Sequence, residues 1–369
     1  MSEFVVVGLA AAIVLVLWKS RLNYISLPSL PVVSNNQPLD LTVIIPARNE
    51  AHQVSRAIKS FPDLRVIVVD DDSTDETAQI ARRAGAHLIP APPIRCQTPQ
   101  LPNSPKGKPN ACAEGARYAS SKWLLFVDAD TWFEPPFAAS LVAYAETERL
   151  PFVTAFLEQK CETLAEKVLL PYAFALYFTG VSAHAVNNPK SREALANGQC
   201  ILFDRAVYES IGGHSAVASS VIEDVALARH AKEKGISVRV IRAGHLGHVR
   251  MYDGFSAIWC GFQKNSFRFL LINPWSGLQV VLASILLTSW LPVLLIGLAD
   301  YPKLSAAILL TPDPVSMLFL APLLALLPWY RGWRILLAPF AIYLFQLIAL
   351  NGMLATLTRR PTLWKSRRV

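Results

Sequence analysis

From Leu41 onward the chain alternates short apolar runs with stretches whose apolar positions recur every three or four residues. Leu41 to Pro46, Val66 to Asp70, His87 to Ile89, Trp123 to Asp128 and Phe152 to Phe156 read as strands. Between them the pattern predicts helices near Ala51 to Ser60, Thr74 to Ala84, Asn110 to Ser120 and Phe137 to Glu148. Strands alternating with helices predict an α/β unit, a mostly parallel sheet covered by helices on both faces. Ligands of such sheets sit in the crevice beyond the carboxyl ends of the strands. Polar residues at those ends are therefore the candidates for chemistry.

The flanks follow a different pattern. Phe4 to Trp18 is uncharged, with Glu3 before it and Lys19 and Arg21 after it. A signal peptide carries its positive charge in front, so this segment reads as a retained anchor, short for a span at about fifteen residues. Positive residues on its far side predict that the domain that follows faces the cytosol. Residues 20–40, with Pro28, Pro31 and Pro38, read as a linker. No charge occurs between Arg268 and Asp300 or between Arg334 and Arg359, and each gap is long enough to cross hydrocarbon. A third segment, Val315 to Trp329, is shorter and broken by Pro322 and Pro328. Glu162 to His184 is aromatic and apolar, and fits either a membrane-surface or acceptor-lining helix or a buried core helix. The expected division is an anchor at 1–19, a linker at 20–40, the α/β domain at 41–268, a membrane region of two to three apolar segments at 269–358 and a basic tail at 359–369.

Composition agrees with that division. Of the 369 residues 53% are hydrophobic and only 17% charged, which favours a membrane protein over an ordinary soluble one. The net charge of +8 is concentrated at Arg359, Arg360, Lys365, Arg367 and Arg368, a cluster suited to anionic headgroups on the cytosolic face. Basic and aromatic residues do not interleave in the α/β stretch, which argues against nucleic acid as a partner. The five cysteines show neither metal-type spacing nor a small disulfide framework, and read as reduced thiols.

Three strand ends are polar. The first gives Pro46-Ala47-Arg48-Asn49-Glu50, the second Asp70-Asp71-Asp72-Ser73-Thr74-Asp75, and the third Asp128-Ala129-Asp130. Residues two apart on a strand point to one face, which would aim Asp128 and Asp130 at a common point suited to Mg²⁺ or Mn²⁺ carrying a diphosphate. Ser73 or Thr74 is the expected cap of the helix that follows, yet three consecutive acids call for a further reason, such as a base and ribose. Lys108 follows Gly107 at a helix start, a place suited to a diphosphate or to an ordinary solvated lysine. Ser220 and Glu223 fit a capping box, which leaves Asp224 free to act as a general base. His245 and His248 fall in a glycine-containing loop after a strand at Val238 to Ile241, and His248 is kept as a metal candidate. Arg250, Tyr252, Gln263, Lys264, Asn265 and Arg268 follow, positioned either to hold a pyrophosphate or to mark the membrane interface.

In this order the residues resemble the inverting family-2 glycosyltransferases of the GT-A fold, over roughly Leu41 to Arg268. The resemblance implies that Pro46, Glu50 and Asp71, with Asp70, contact the nucleoside, and that Lys108 approaches base or diphosphate. It implies that Asp128 and Asp130 bind the sugar nucleotide and the metal, that Asp224 is the catalytic base, and that Glu223, Gln263 and Arg268 bind substrate. Gly107 to Ala113, Arg250-Met251-Tyr252 and Gly261 to Asn265 are most similar to membrane-bound enzymes that glycosylate carotenoids, with hopanoid-associated and ceramide enzymes as near relatives. The resemblance thus implies a UDP-sugar donor, a single sugar transferred and a carotenoid or other lipid acceptor. Polysaccharide synthases carry Gln-x-x-Arg-Trp where this chain has Gln263 followed by Ser266-Phe267, which weakens a polymerase reading. A nucleotide-binding scaffold without activity is the non-enzyme alternative.

Overall fold

The alternation is realised in the computed structural model, which describes residues 3–33, 37–91, 107–218, 220, 222–272, 274–300, 313–358, 363–364 and 367–368. The proline-rich loop before Gly107 and most of the basic tail lie outside the described residues. In chain order the elements are α1 (Glu3–Ile25), β1 (Leu41–Ala47), α2 (Val54–Lys59), β2 (Arg65–Asp70), α3 (Thr77–Arg83), β3 (His87–Pro90), α4 (Lys108–Arg117), β4 (Trp123–Val127), β5 (Thr131–Phe133), α5 (Phe137–Thr147) and β6 (Phe152–Gln159). There follow α6 (Leu164–Gly180), α7 (Ala183–Asn187), β7 (Cys200–Asp204), α8 (Arg205–Ser210), α9 (Glu223–Glu233), β8 (Val238–Val249), α10 (Phe255–Ile272), α11 (Pro274–Asp300), α12 (Pro314–Leu326) and α13 (Ala338–Leu357). They gather into two compact units, Leu27–Lys160 with His184–Met251, and Met1–Ser26 with Cys161–Ala183 and Tyr252–Val369.

The first unit is built on an eight-stranded sheet of order β3-β2-β1-β4-β7-β6-β8-β5. β1 to β4 are mutually parallel, as alternation requires, and β6 is parallel to β8. β7 runs antiparallel to both β4 and β6, and β5 antiparallel to β8. This reversal matters for the site. It sets the start of β7, where Cys200 pairs with Val127, beside the carboxyl end of β4. Side chains alternating across the strands fill a core on each face, Val43, Ile45, Leu125 and Val153 on one side and Ile44, Ile67, Phe126 and Phe203 on the other. On the second face Gly115 of α4 lies so close to the sheet that a Cβ there would come within 2.5 Å of Ile44 Cγ2.

The linker expected at 20–40 is not one. Residues 20–25 complete α1, and the chain beyond them is strapped to β8 and α5: Leu30 N–H donates to Arg242 O, Arg242 N–H to Pro28 O, and Val33 N–H to Ser140 Oγ, at 2.8, 2.8 and 2.9 Å. Backbone groups of β8 that would otherwise face solvent are paired in this way.

The second unit is helical and apolar. α1 is 23 residues long, eight more than the uncharged run, because Lys19 and Arg21 continue the helix instead of ending it. Among the described residues three helices have the length and composition to cross a membrane, Glu3–Ile25, Pro274–Gly297 and Gly332–Ala355, with Pro314–Trp329 a shorter apolar one. α6 belongs with them and is buried there, with Tyr172, Phe178 and Ala175 essentially inaccessible. Polar groups on apolar helices seek partners on their neighbours: Ser20 Oγ donates to Ala175 O, Tyr330 Oη to Val168 O, Gln346 Nε2 to Tyr172 Oη and Gln263 Nε2 to Asn351 Oδ1. The boundary expected at Arg268 therefore falls earlier, at Met251, because Tyr252 packs its ring onto Phe262 and α10 packs on α13.

Candidate active site

The ends of β1 and β2 brace one another. Asn49 N–H donates to Ser73 Oγ, Glu50 N–H to Thr77 Oγ1, Ala51 N–H to Asp75 Oδ2, and Thr74 N–H to Asn49 Oδ1. Arg48 Nη1 donates to Asp71 O at 2.7 Å, and Asp71 N–H to Ala47 O at 2.8 Å. Asn49 and Asp72 take left-handed backbone angles, φ 53° and 63°, which short polar side chains tolerate best. The capping expected of Ser73 or Thr74 is not used. α3 opens at Thr77, and it is Asp75 Oδ1 that accepts the Thr77 N–H, at 3.0 Å. Burial works against ionisation of Asp75, but the Thr77 hydroxyl and N–H and the Ala51 N–H hold its carboxyl below the ordinary value.

Pro46 lies on β1 opposite Val69, and Asp70 ends β2 with its Oδ1 accepting the Ser73 N–H at 3.2 Å. Asp71 is buried, and a Cβ on Gly107 would stand 4.0 Å from its Oδ2. Gly107, at φ 70°, turns the chain into α4 at that point. The carboxylate of the second strand end and the first turn of α4 thus share one corner.

Lys108 is the hub. Its Nζ lies 2.6 Å from Asp128 Oδ1 and 3.4 Å from Glu223 Oε1, and donates to Gly198 O at 3.1 Å. Burial alone would discharge this ammonium, but Asp128 and Glu223 outweigh it and hold its pKa well above the usual lysine value. One helical turn on, burial pushes the Cys112 thiol up, so it is inert as a nucleophile.

Asp224 stands in the first turn of α9. Gly198 N–H donates to its Oδ2 at 2.7 Å and Val225 N–H to its Oδ1 at 2.8 Å, so each oxygen is oriented by backbone. Burial and the neighbouring Glu223 push its carboxyl up to about 6, against the opposing pull of Lys108 and the two N–H groups. A carboxylate poised near neutrality is what a general base requires. The expected capping box does not form: Ser220 Oγ donates to Ile222 O, and the helix has no side-chain cap. Glu223 is thereby left facing Lys108.

The two aspartates after β4 are not on the strand. β4 ends at Val127, and Asp128-Ala129-Asp130 form a turn closed by Thr131 N–H and Oγ1 donating to Asp128 O, at 3.2 and 2.7 Å. A turn replaces the strand geometry because the chain must reverse into β5. Among the described residues no group of three or more His, Cys, Asp or Glu is placed to enclose a metal ion. Carboxylate oxygens are of the kind that suits Mg²⁺ or Mn²⁺ rather than zinc, and one of those of Asp128 is paired with Lys108 Nζ.

His245 and His248 are on β8, which runs unbroken from Val238 to Val249 through irregular pairing with β6. The His248 ring nitrogens lie 3.3 Å from Glu134 Oε1 and Glu158 Oε2, with the Trp132 ring alongside, and two positions on, the Arg250 N–H donates to Asp130 O. Burial and Lys160 hold its imidazole below the ordinary value. Gln263 is hydrogen-bonded to Asn351 within the helical unit, and Arg268 lies on α10 of the same unit.

Sequence reasoning did not single out Gly198, which offers only backbone, or His214 and Tyr208, which line or back the same crevice. His214 is buried, bonded through Nδ1 to Tyr208 Oη at 2.9 Å, and burial with Lys108 nearby pulls it down to about 3, so it is neutral. Pro46, Lys108, Asp128, Gly198, His214, Glu223 and Asp224 line one crevice. The Gly-Gly-His turn was the available signal for His214.

Residues 42–212 match the family model described as glycosyl transferase family 2. The chain is 29% identical over 236 residues to the 4,4'-diaponeurosporenoate glycosyltransferase of Staphylococcus haemolyticus (strain JCSC1435), and 28% identical over 246 residues to the protein of the same name from Staphylococcus aureus (strain USA300). Each match covers 61% of this chain and spans 60% of the relative's length. Among solved structures, the mannosyltransferase PcManGT from Pyrobaculum calidifontis, in complex with GDP-Man and Mn²⁺, superposes with a TM-score of 0.52 at 17% identity. That superposition covers 98% of this chain and 100% of the other, a likeness of fold.

Proposed function

From the match of residues 42–212 to the family-2 glycosyltransferase model, we propose that the chain transfers a single sugar, with inversion, from a nucleotide sugar to a hydroxyl of a lipid, a carotenoid first among the candidates. The observation that carries this reading is Asp224: a carboxyl raised to about 6, oriented by two backbone N–H groups, in one crevice with Lys108 and Asp128. A carboxylate acceptor would need no base, whereas a hydroxyl does. The relatives are named for a carotenoid carboxylate, which supports the carotenoid part of the acceptor, while the hydroxyl rests on Asp224.

In the reaction the acceptor hydroxyl gives its proton to Asp224 as its oxygen attacks the anomeric carbon from the face opposite the diphosphate. The bond from that carbon to the diphosphate oxygen breaks, its electron pair stays on the leaving group, and the proton remains on Asp224. Lys108 offsets the negative charge of the departing diphosphate. Asp128 and Asp130 would hold a Mg²⁺ or Mn²⁺ ion, which when bound supplies further charge stabilisation there. Pro46, Glu50, Asp70 and Asp71, at the braced ends of β1 and β2, form the nucleoside side of the crevice, with UDP the favoured nucleotide. The three membrane-length helices support a membrane-bound enzyme, and Lys19 and Arg21 after the first apolar run support a cytosolic face for the sheet unit.

The test is a transfer assay with membranes carrying wild type or Asp224→Asn, Mg²⁺ or Mn²⁺, labelled UDP- and GDP-sugars, and a pigment and lipid extract, partitioned into organic solvent. The reading expects Asp224-dependent label in the organic phase on a band with carotenoid absorbance, reduced about 10³-fold in the variant. Label confined to an aqueous polymer, or undiminished in Asp224→Asn, overturns it.

A further inference from the structure

Gly198 has no side chain, yet it touches both charged centres of the crevice. Its carbonyl accepts from Lys108 Nζ at 3.1 Å, and its N–H donates to Asp224 Oδ2 at 2.7 Å. The residue is fixed from outside: Asn197 N–H donates to Thr154 Oγ1, Thr154 Oγ1 in turn to Asn197 O, Asn197 Nδ2 to Ala155 O, and Asp128 N–H to Gln199 O. The loop is thus clamped between β6 and the end of β4. A methyl group would press on both charged centres, since a Cβ would lie 2.8 Å from Lys108 Nζ, 3.1 Å from Asp224 Oδ2 and 3.4 Å from Asp224 Cβ.

We propose that Gly198 is a positioning residue for sugar transfer, one that holds base and cation at a fixed spacing by binding Asp224 with its N–H and Lys108 with its carbonyl. The proposal rests on Asp224 being the base. The charged and titratable groups facing Asp224 are Glu223 on its own helix and Lys108 from α4, and Asp128, Cys112 and His214 line the same crevice. A methyl group at position 198 must shift the ammonium and press the carboxylate aside by a few tenths of an ångström. Either movement weakens an interaction that favours the ionised carboxylate, and it misplaces the base by a fraction of an ångström, enough to cost a large factor in rate.

The experiment compares wild type, Gly198→Ala and Asp224→Asn as full chains in membranes. It measures sugar transfer across pH at saturating donor, binding of UDP and GDP, and thermal melting. Gly198→Ala is expected to lower kcat about 10²-fold and to move the acid limb of the rate profile to higher pH. Melting temperature should stay within error of wild type, and nucleotide affinity should fall by a smaller factor than kcat, since Lys108 also faces the diphosphate. An unchanged kcat and acid limb overturns the proposal. So does a loss of kcat matched by losses of nucleotide affinity and melting temperature, which marks a structural role. Full activity in Asp224→Asn identifies failure of the base itself, a different result from an inactive Asp224→Asn beside a fully active Gly198→Ala. If Gly198→Ala does not accumulate as folded protein, Asp224→Glu reads the same quantity, since one added methylene carries the carboxylate off the Gly198 N–H. Wild-type kcat in that variant overturns the proposal.

Discussion

The acids that follow β2 and those gathered around the end of β4 are chemically alike and physically opposite. After β2, Asp70 and Asp75 give oxygens to backbone N–H groups of their own loop and of the loop after β1, and Asp72 is solvated. Around β4, Asp128, Glu223 and Asp224 face one ammonium, and among the described residues only Asp224 also accepts from backbone N–H groups. Hydrogen bonds to fixed N–H groups keep a carboxyl acidic and its loop rigid, whereas burial beside a like charge leaves a carboxyl ready to take a proton. The first arrangement shapes a surface, and the second stores the capacity for chemistry.

The largest expected break in this contrast is Lys108→Met. It leaves Asp128 and Glu223 facing each other without a cation, and should lower kcat/KM at least about 10²-fold and destabilise the fold by about 2 kcal/mol. Transfer kinetics and chemical denaturation read the two effects. Wild-type kinetics would show that the ammonium is only a fixture of the crevice.

Next is pH. Asp224 must be ionised to act, so the rate should rise as pH increases through about 6 and fall about tenfold per unit below it. Stability runs the other way, because a carboxyl raised on folding contributes fully below its unfolded value and loses that contribution as pH rises through about 6. Asp224→Asn should therefore melt higher than wild type at pH 8 and close to it at pH 4, and identical differences at both pH values would refute the assignment.

A smaller effect is expected at the brace. Asn49→Ala removes the acceptor for Thr74 N–H and should cost about 1 kcal/mol in denaturant titration, with kcat at saturating donor unchanged. A collapse of kcat would mean that the first region takes part in the chemistry. Least of all, Glu209→Ala on α8, which loses only the exposed pair with Arg205, should shift stability by less than about 0.5 kcal/mol and leave transfer untouched.

Most elements of the sheet unit were legible because buried strands and their helices leave a periodic trace. The ends of β1, β2 and β4 were legible because polar residues interrupt apolar runs there. The β4 turn was misread as strand, since alternation cannot tell a last strand residue from the first residue of a turn. β8 was cut short after Ile241 because Gly244, at φ 62°, and the register shifts opposite Leu157 break the two-residue period while the ladder continues. Sequence proximity counts α6 and Tyr252 to Arg268 within the 41–268 domain, whereas interhelical hydrogen bonds group them with the helices.

What the sequence by itself determined is which residues can be strand, helix or membrane-length segment, and that acids stand at strand ends. Those properties depend on neighbours a few positions away. The tertiary structure alone decided which charges meet. The antiparallel return of β7 carries Gly198 to the end of β4, 70 positions along the chain from Asp128, and α9 delivers Asp224 to the same point. Partnership across such distances depends on strand order and direction, and Gly198, having no side chain, leaves no trace in any local pattern.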